Sequence, residues 1–341
     1  MKLRVFITLT CLGLLPPASL AQNADAPDDH PEDVQIRADA LLNKARQLSD
    51  IRSPNAPAFH LKATFSFTGK DFEKVEGTYT EVWVSNSQWR RETVIGDLRH
   101  IEVSGADKQW LVDSDGFPPQ ANKLAAMMAV LPPASRGFEF ASITERETRN
   151  VTAECVTTKP LAGNLLFTFC FENETGMLLE RVVPEKRPLN LVAFSCEYGS
   201  FRKFGNYWFP RQIKCFEDRH KSISADVAEL TIETPTDPTL FDAPKGAIEL
   251  GRCVGKTVPP APPSLPVLPP GLRLEFDRRI RLWLVVDTKG RPQYPKVLPP
   301  ARKDSNESVL NWVQHWNFTP GTCDGTPIPM EMTVDVPAAA R

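Results

Sequence analysis

The stretch Leu61–Thr68, Leu-Lys-Ala-Thr-Phe-Ser-Phe-Thr, places apolar residues at its odd positions and polar residues at its even positions. Because successive side chains of a β-strand point to opposite faces, this alternation predicts a strand with one buried and one solvated face. Gly77–Ser85 and Gln88–Val94 follow and are rich in Thr, Val, Tyr and Trp. We therefore predict an antiparallel sheet with one buried face as the framework of this region.

Two helical patterns accompany the predicted sheet. Asp33–Leu48 carries apolar residues at helical spacing along one face. Gln120–Leu131 does the same before two prolines end it. Strand patterns resume from about residue 150 to about residue 235, mostly as antiparallel hairpins. Together these patterns predict an α+β fold in which helices cover an antiparallel sheet.

The first residues have the pattern of a secretory signal. Met1–Ala21 combines a basic start, an apolar run at Val5–Leu15 and small residues before a cleavage site at Gln22. The apolar run is shorter than the roughly 20 residues that a membrane-spanning helix needs. We expect a signal peptide at 1–21, a flexible lead-in at 22–32, and a protein of the periplasm or a secreted protein. An uncleaved anchor is the alternative.

Six cysteines follow the signal, and an even number in an exported chain favours disulfides. In two predicted hairpins, a pair of cysteines lies at equal distances from the turn, so the two residues face each other across the strands. This geometry predicts Cys155–Cys170 and Cys196–Cys215, and elimination leaves Cys253–Cys323. Six free buried thiols are the alternative. No pair has Cys-x-x-Cys spacing, which argues against redox catalysis and a zinc site.

Proline marks a boundary in the chain. Of 341 residues, 32 are proline, and Val258–Gly271 holds seven of them without any charge. Such a segment is an extended, semi-rigid spacer whose reach is roughly 37 Å for about 12 residues. We therefore predict a first domain at 33–250, a Pro-rich linker at 251–271 and a second domain at 272–338.

The second domain has the pattern strand, turn, strand, helix, strand, with Asp287 and Gly290 in the first turn. The motif residues at the end of the helix and before the last strand are Trp316, Phe318, Pro320, Gly325 and Pro327. With these features it resembles the C-terminal domain of TonB-family proteins. The resemblance implies a small antiparallel sheet with one helix that binds partner peptides in the periplasm by strand addition. A packed domain that binds nothing is the alternative.

In the first domain the opening helix is followed by Gly77-Thr78-Tyr79 with Trp83, Trp89-Arg90, 205–210 and 241–246. In these features the first domain is similar to the lipoprotein-carrier fold of the LolA/LppX type. The resemblance implies a strongly curved antiparallel sheet, or half-barrel, whose covering helices enclose an apolar cavity for a lipid. The candidate cavity residues are Phe65, Phe67, Trp83, Trp110, Leu124, Met127 and Met128. The alternative is a filled core, because Met and aromatic stripes are more often packing.

The sequence contains no familiar catalytic motif, P-loop or dinucleotide fingerprint. The five histidines are scattered, and Asp113-Ser114-Asp115-Gly116 lacks the later ligands of a calcium loop. A net charge of −2 gives no reason to expect nucleic acid as a partner. We therefore predict no enzyme activity, no catalytic residue, no cofactor and no metal.

The combined patterns predict an exported binding protein. It would carry a lipid or other apolar ligand and dock a periplasmic or outer-membrane protein through the second domain. A TonB-type energy transducer is one alternative, although it needs a stable membrane anchor and a longer spacer. A secreted hydrolase, with catalytic groups that meet only in the fold, is the other.

Overall fold

A computed structural model gives the structure of the chain. It describes residues 30–68, 73–105, 108–114, 117–118, 121–132, 137–148, 150–160, 166–186, 191–217, 220–233, 235, 237–253, 255–262, 279–298 and 303–337. Within these ranges, no helix is long and apolar enough to span a membrane.

In the described part of the chain, three α-helices and two 3-10 turns lie among the strands. The helices are α1 (Pro31–Ser49), α2 (Leu124–Met128) and α3 (Lys303–Val313), and the 3-10 turns are Ala121–Lys123 and Pro238–Phe241. The strands are β1 (Phe59–Thr68), β2 (Lys74–Ser85), β3 (Gln88–Ile95), β4 (Leu98–Ser104), β5 (Lys108–Asp113), β6 (Phe140–Thr148), β7 (Val151–Thr158), β8 (Thr168–Glu172), β9 (Leu178–Lys186), β10 (Leu191–Gly199), β11 (Arg202–Phe204), β12 (Tyr207–Phe209), β13 (Gln212–Glu217), β14 (His220–Ile232), β15 (Ile248–Gly251), β16 (Thr257–Val258), β17 (Arg279–Val286), β18 (Pro292–Leu298), β19 (Thr322–Cys323), β20 (Thr326–Pro327) and β21 (Met330–Pro337).

Thirteen strands form one open antiparallel sheet. Their order is β15-β5-β4-β3-β2-β1-β14-β13-β10-β9-β8-β7-β6, and the two end strands do not pair with each other. The alternation that defines β1 is confirmed, since its odd residues are buried and its even residues are not. We call the face that carries these buried side chains the inner face. The main hydrophobic core lies on it, and α1 and α2 contribute to that core.

The second predicted helix is much shorter than its sequence pattern. The pattern covers 120–131, but only Ala121–Lys123 and α2 are helical among the described residues. Pro132 and Pro133 lack the N–H groups that the carbonyls of Met128 and Ala129 would need for the helix to continue. Arginine side chains bind these carbonyls instead, as described below.

Two strand predictions differ from the structure. Strands resume at β6, earlier than the predicted residue 150. The hairpin predicted around Gly205-Asn206 consists of β10 and β13, and the small hairpin β11–β12 is inserted at its tip. Because the insertion adds similar lengths on both sides of the turn, the equal-distance argument for the cysteines still holds.

All three predicted disulfides are confirmed. Cys155 lies directly opposite Cys170 in β7 and β8, and Cys196 lies opposite Cys215 in β10 and β13. The third bridge joins Cys253 to Cys323, with 5.4 Å between the Cα atoms.

The second unit is a three-stranded antiparallel sheet in the order β18-β17-β21, with α3 on one face. Its turn at Gly290 has a φ of +77°, and a side chain there would collide with the carbonyl oxygen of Phe318. Phe318 in turn donates a backbone hydrogen bond to the Gly290 carbonyl at 2.8 Å. Glycine is therefore required where the first turn meets the segment that follows α3.

The first part of the predicted linker is paired with the second unit. The Gly251 N–H donates to the Pro329 carbonyl at 2.7 Å, β16 pairs with β19, and Ala261 bridges to Thr319. The remainder, 263–271, lies outside the described residues. Through β15, which pairs with β5, this segment connects the second unit to the end of the large sheet.

The Cys253–Cys323 bridge closes a loop with a sequence separation of 70 residues around most of the second unit. On the chain-entropy model, replacing both cysteines by serine should lower the free energy of unfolding by about 4 kcal/mol. Urea unfolding followed by circular dichroism measures this, with Thr322→Ser as the control that leaves the bridge intact. An unchanged unfolding midpoint in the double variant would contradict the prediction.

Candidate functional site

Six of the seven candidate cavity residues meet in one cluster on the inner face. Phe65, Phe67, Trp83, Leu124, Met127 and Met128 are each at most 5% exposed and belong to the main core. Trp110 does not join them. It packs with Ile101, Val103 and Phe241 in a separate cluster, because Trp110 and Val103 are paired on the opposite face of the sheet. In the structure these six side chains pack together in the main core on the inner face.

Helix α2 supplies three of these buried side chains and is held from its carboxyl end. Arg52 Nη1 donates to the Met128 carbonyl at 2.8 Å. Arg181 Nη2 donates to the Ala126 carbonyl at 2.8 Å, and its Nη1 donates to the Ala129 carbonyl at 3.1 Å. A helix end carries partial negative charge, so two guanidinium groups are well placed there. The helix is therefore an apolar plug that two arginines tether to the sheet.

Arg52 also belongs to a buried cluster of charges. Its Nε donates to Glu81 Oε1 at 2.9 Å, and Glu81, which is fully buried, accepts a second hydrogen bond from Tyr79 at 3.0 Å. Arg91 Nε lies 3.2 Å from the same carboxylate. Burial alone would raise the pKa of Glu81, but the charges and hydrogen bonds of Arg52 and Arg91 outweigh it and lower the pKa to about 2. The carboxylate is therefore ionised at every physiological pH.

The charge cluster continues along the inner face to the second unit. Arg91 Nη1 lies 3.8 Å from Glu102, and His100 Nε2 lies 3.9 Å from the same carboxyl group. His100 Nδ1 lies 3.2 Å from Asp113, which accepts a hydrogen bond from Lys296 Nζ at 2.9 Å. Ions of alternating sign thus run from α2 across four strands to β18. We call this series the charge ladder.

Sequence reasoning missed the charge ladder, although the signal was present. Glu81 and Arg91, Arg91 and Glu102, and His100 and Asp113 are direct cross-strand partners. Each pair lies at equal distances from the turn of its hairpin, as the cysteines do. Pairing charged residues at equal distances from each turn would therefore predict that His100 lies beside Asp113.

The motif residues of the second unit are mainly structural in this geometry. Trp316 and Phe318 are 8% and 5% exposed and pack with Trp312 in the second core. Gly325 takes a φ of +84° in the turn between β19 and β20. Pro320 is half-buried before β19, and Pro327 is exposed in β20. These residues shape the route from α3 to the last strand.

An open cleft lies on the outer face near the end of β1 and the start of β2. Its volume is about 510 Å³, and it is lined largely by polar residues of β1, β2 and β14, such as Thr64, Thr78 and Asp226. Phe65 and Gly77 also contact it. Across the described ranges, no group of three His, Cys, Asp or Glu residues could hold a metal ion.

The comparisons with known proteins find similarity only among solved structures. No family model and no curated protein matches the sequence. A LolA superfamily protein from Nitrosomonas europaea is 10% identical, with a TM-score of 0.42 over 60% of this chain and 96% of that chain. A DUF1329 family protein from Desulfovibrio piger is 11% identical, with a TM-score of 0.41 over 62% of this chain and 95% of that chain.

The charge ladder predicts a fall in stability at alkaline pH. Burial lowers the pKa of His100, but Asp113 and Glu102 outweigh it and raise the pKa to about 9. A raised histidine pKa gives stability that is complete below the unfolded pKa of about 6.5 and is lost as the pH rises through the folded value. The expected loss between pH ~6 and pH ~9.5 is on the order of 3 kcal/mol.

Urea unfolding at several pH values measures this loss. His100→Gln should remove most of the pH dependence over the same range. His315→Gln, at an exposed histidine outside the ladder, is the matched control and should keep it. Equal pH profiles for the wild type and His100→Gln would show that the ladder does not stabilise the fold.

Proposed function

We propose that the chain is an exported binding protein whose first domain holds a lipid or other apolar ligand on the inner face, beneath α2. Its three disulfides fit an extracellular or periplasmic protein, because such bridges persist in oxidising compartments. In this proposal the ligand takes the place of the α2 side chains against the sheet. The second unit docks a protein partner.

The observation that carries the proposal is the construction of α2. Leu124, Met127 and Met128 are at most 1% exposed, yet they belong to a helix of only five residues. Such a short helix has little stability of its own, so packing and tethers hold it in place. Its apolar side chains occupy space that an acyl chain could fill with the same burial of apolar surface. Replacing the plug side chains by a ligand would therefore change the buried apolar surface, and its contribution to the free energy, only a little.

The tethers of α2 are suited to such an exchange. They are hydrogen bonds from arginine side chains to backbone carbonyls, and the carbonyls can bond to water when the helix moves out. Two of the three plug side chains are methionines, whose flexible thioethers adapt to different neighbours. The aromatic residues of β1 and β2 remain on the sheet as the fixed floor of the site.

Partner docking is proposed for the outer edge of β21. Among the described residues, no strand pairs with that edge. The opposite edge strand β18 contains Pro292 and Pro295, and between them Tyr294 has a φ of +51°. Prolines and such irregularities prevent further strand pairing. A partner strand would therefore add to β21 rather than to β18.

Site-specific photo-crosslinking in the native host tests the docking edge. A photoreactive residue at exposed Glu331 or Thr333 of β21 should give a discrete crosslinked protein. The same residue at exposed Tyr294 of β18 is the matched control and should not. Equal crosslinking from both edges, or none from β21, would contradict strand addition at β21.

Met127→Ala tests the plug. The variant should lose about 2–5 kcal/mol of stability, because a fully buried methionine leaves a cavity. It should also bind apolar ligands up to about tenfold more tightly, because less apolar packing must be displaced. Ile101→Ala on the opposite face is the control and should lose stability without a change in affinity. Urea unfolding and displacement of a fluorescent apolar probe give the two readings.

Lipid extraction and mass spectrometry of protein purified from its native compartment test ligand binding directly. The expected result is a co-purifying apolar molecule near one equivalent. The proposal fails if no such molecule is found and the wild type also binds no apolar probe.

A further inference from the structure

We propose that the inner face selects amphiphiles with an anionic head group, and that Arg181 is the residue that recognises the anion. This inference rests on the proposed function and names the chemical class of its ligand. The head group would be a carboxylate or a phosphate ester attached to an alkyl chain.

Arg181 lies among buried apolar residues of the inner face. It belongs to β9, where its cross-strand partners are Phe169 of β8 and Cys196 of β10. Both partners are buried in the main core, and Arg181 itself is 9% exposed. A guanidinium group therefore points into the same space as the side chains of α2. A cation in such a place is costly unless an anion or strong acceptors compensate it.

Among the described residues, the hydrogen bonds of Arg181 go only to α2 and the two residues that follow it. Its Nη groups donate to the carbonyls of Ala126 at 2.8 Å, Ala129 at 3.1 Å and Val130 at 3.4 Å. Its Nε is buried and has no hydrogen-bond partner in the described part of the chain. Within the described ranges, no carboxylate lies within ion-pair distance of this side chain. The group is thus an incompletely satisfied cation held by dipoles rather than by a charge.

Arg52 provides the contrast within the same site. It also donates to an α2 carbonyl, but it has a permanent counter-ion in fully buried Glu81. When α2 leaves, Arg52 loses one carbonyl and keeps its carboxylate. When Ala129 and Val130 move out with the helix, Arg181 loses all three of its acceptors. The two tethers therefore respond differently to the same movement.

The displacement of α2 sets a requirement on the ligand. A neutral chain would bury Arg181 with no acceptor, whereas a carboxylate or phosphate would satisfy Nε and Nη together in a bidentate contact. The alkyl chain would cover the aromatic floor that the helix has left. An anionic amphiphile thus replaces both contributions of α2, its apolar side chains and its carbonyl acceptors.

Three ligands with twelve-carbon chains test the proposal on the wild-type protein. Laurate carries a carboxylate, dodecyl phosphate carries a phosphate, and monolaurin is neutral. Titration calorimetry should show that one or both anionic ligands bind at least about tenfold more tightly than monolaurin. The pair of anions distinguishes a fatty acid from a phosphate head group as the better fit. Equal affinities for all three would overturn the anion requirement and leave the proposed function standing. Failure of all three to bind would overturn both.

Arg181→Gln isolates the residue. The variant should retain binding of monolaurin and reduce the preference for the anions to about threefold or less. Arg146→Gln is the matched control, because it removes the same charge from an exposed arginine that pairs with Glu180 outside the site. It should keep the full preference. An undiminished preference in Arg181→Gln would overturn the assignment to Arg181, and if that variant does not fold, the wild-type series decides the anion requirement.

Discussion

The ion pair between Arg52 and Glu81 is the contact on which the inner face depends. Glu81 is fully buried on β2, beside the aromatic residues that form the floor of the core. Arg52 follows α1, neutralises this carboxylate and holds the end of α2. One side chain therefore joins both covering helices to the sheet. A buried carboxylate without this partner would cost several kcal/mol, so the arrangement of the three elements depends on it.

The charge ladder extends this contact to the second unit. Three of its steps join direct cross-strand partners, and each carboxylate lies between two cations. The last step is the ion pair between Asp113 and Lys296. Two further links join the same parts of the protein, namely the pairing of β15 with β5 and the Cys253–Cys323 bridge. The end of the large sheet is thus attached to the second unit by an ion pair, by backbone hydrogen bonds and by a covalent link.

Helix α2 is buried but has few hydrogen bonds of its own. Pro132 and Pro133 offer no N–H groups to the carbonyls of Met128 and Ala129. Arginines of the sheet and of the α1 connection bind these carbonyls instead. The result is a set of fully buried apolar side chains on an element with few bonds of its own. Such an element is stable when docked and inexpensive to undock, which is what exchange with a ligand requires.

Local patterns determined much of this protein by themselves. The alternation in Leu61–Thr68 specified a one-sided sheet, and positions at equal distance from a turn specified two disulfides, because hairpin geometry is set by residues close in sequence. Tertiary structure decided what depends on register across several strands. Trp110 faces away from the core because its pairing passes through Val103, Arg90 and Val82 to the solvated side of β1. Arg52 and Arg181 both bind carbonyls of α2, from 76 and 55 positions away along the chain. A pattern of neighbouring residues cannot predict such long-range contacts.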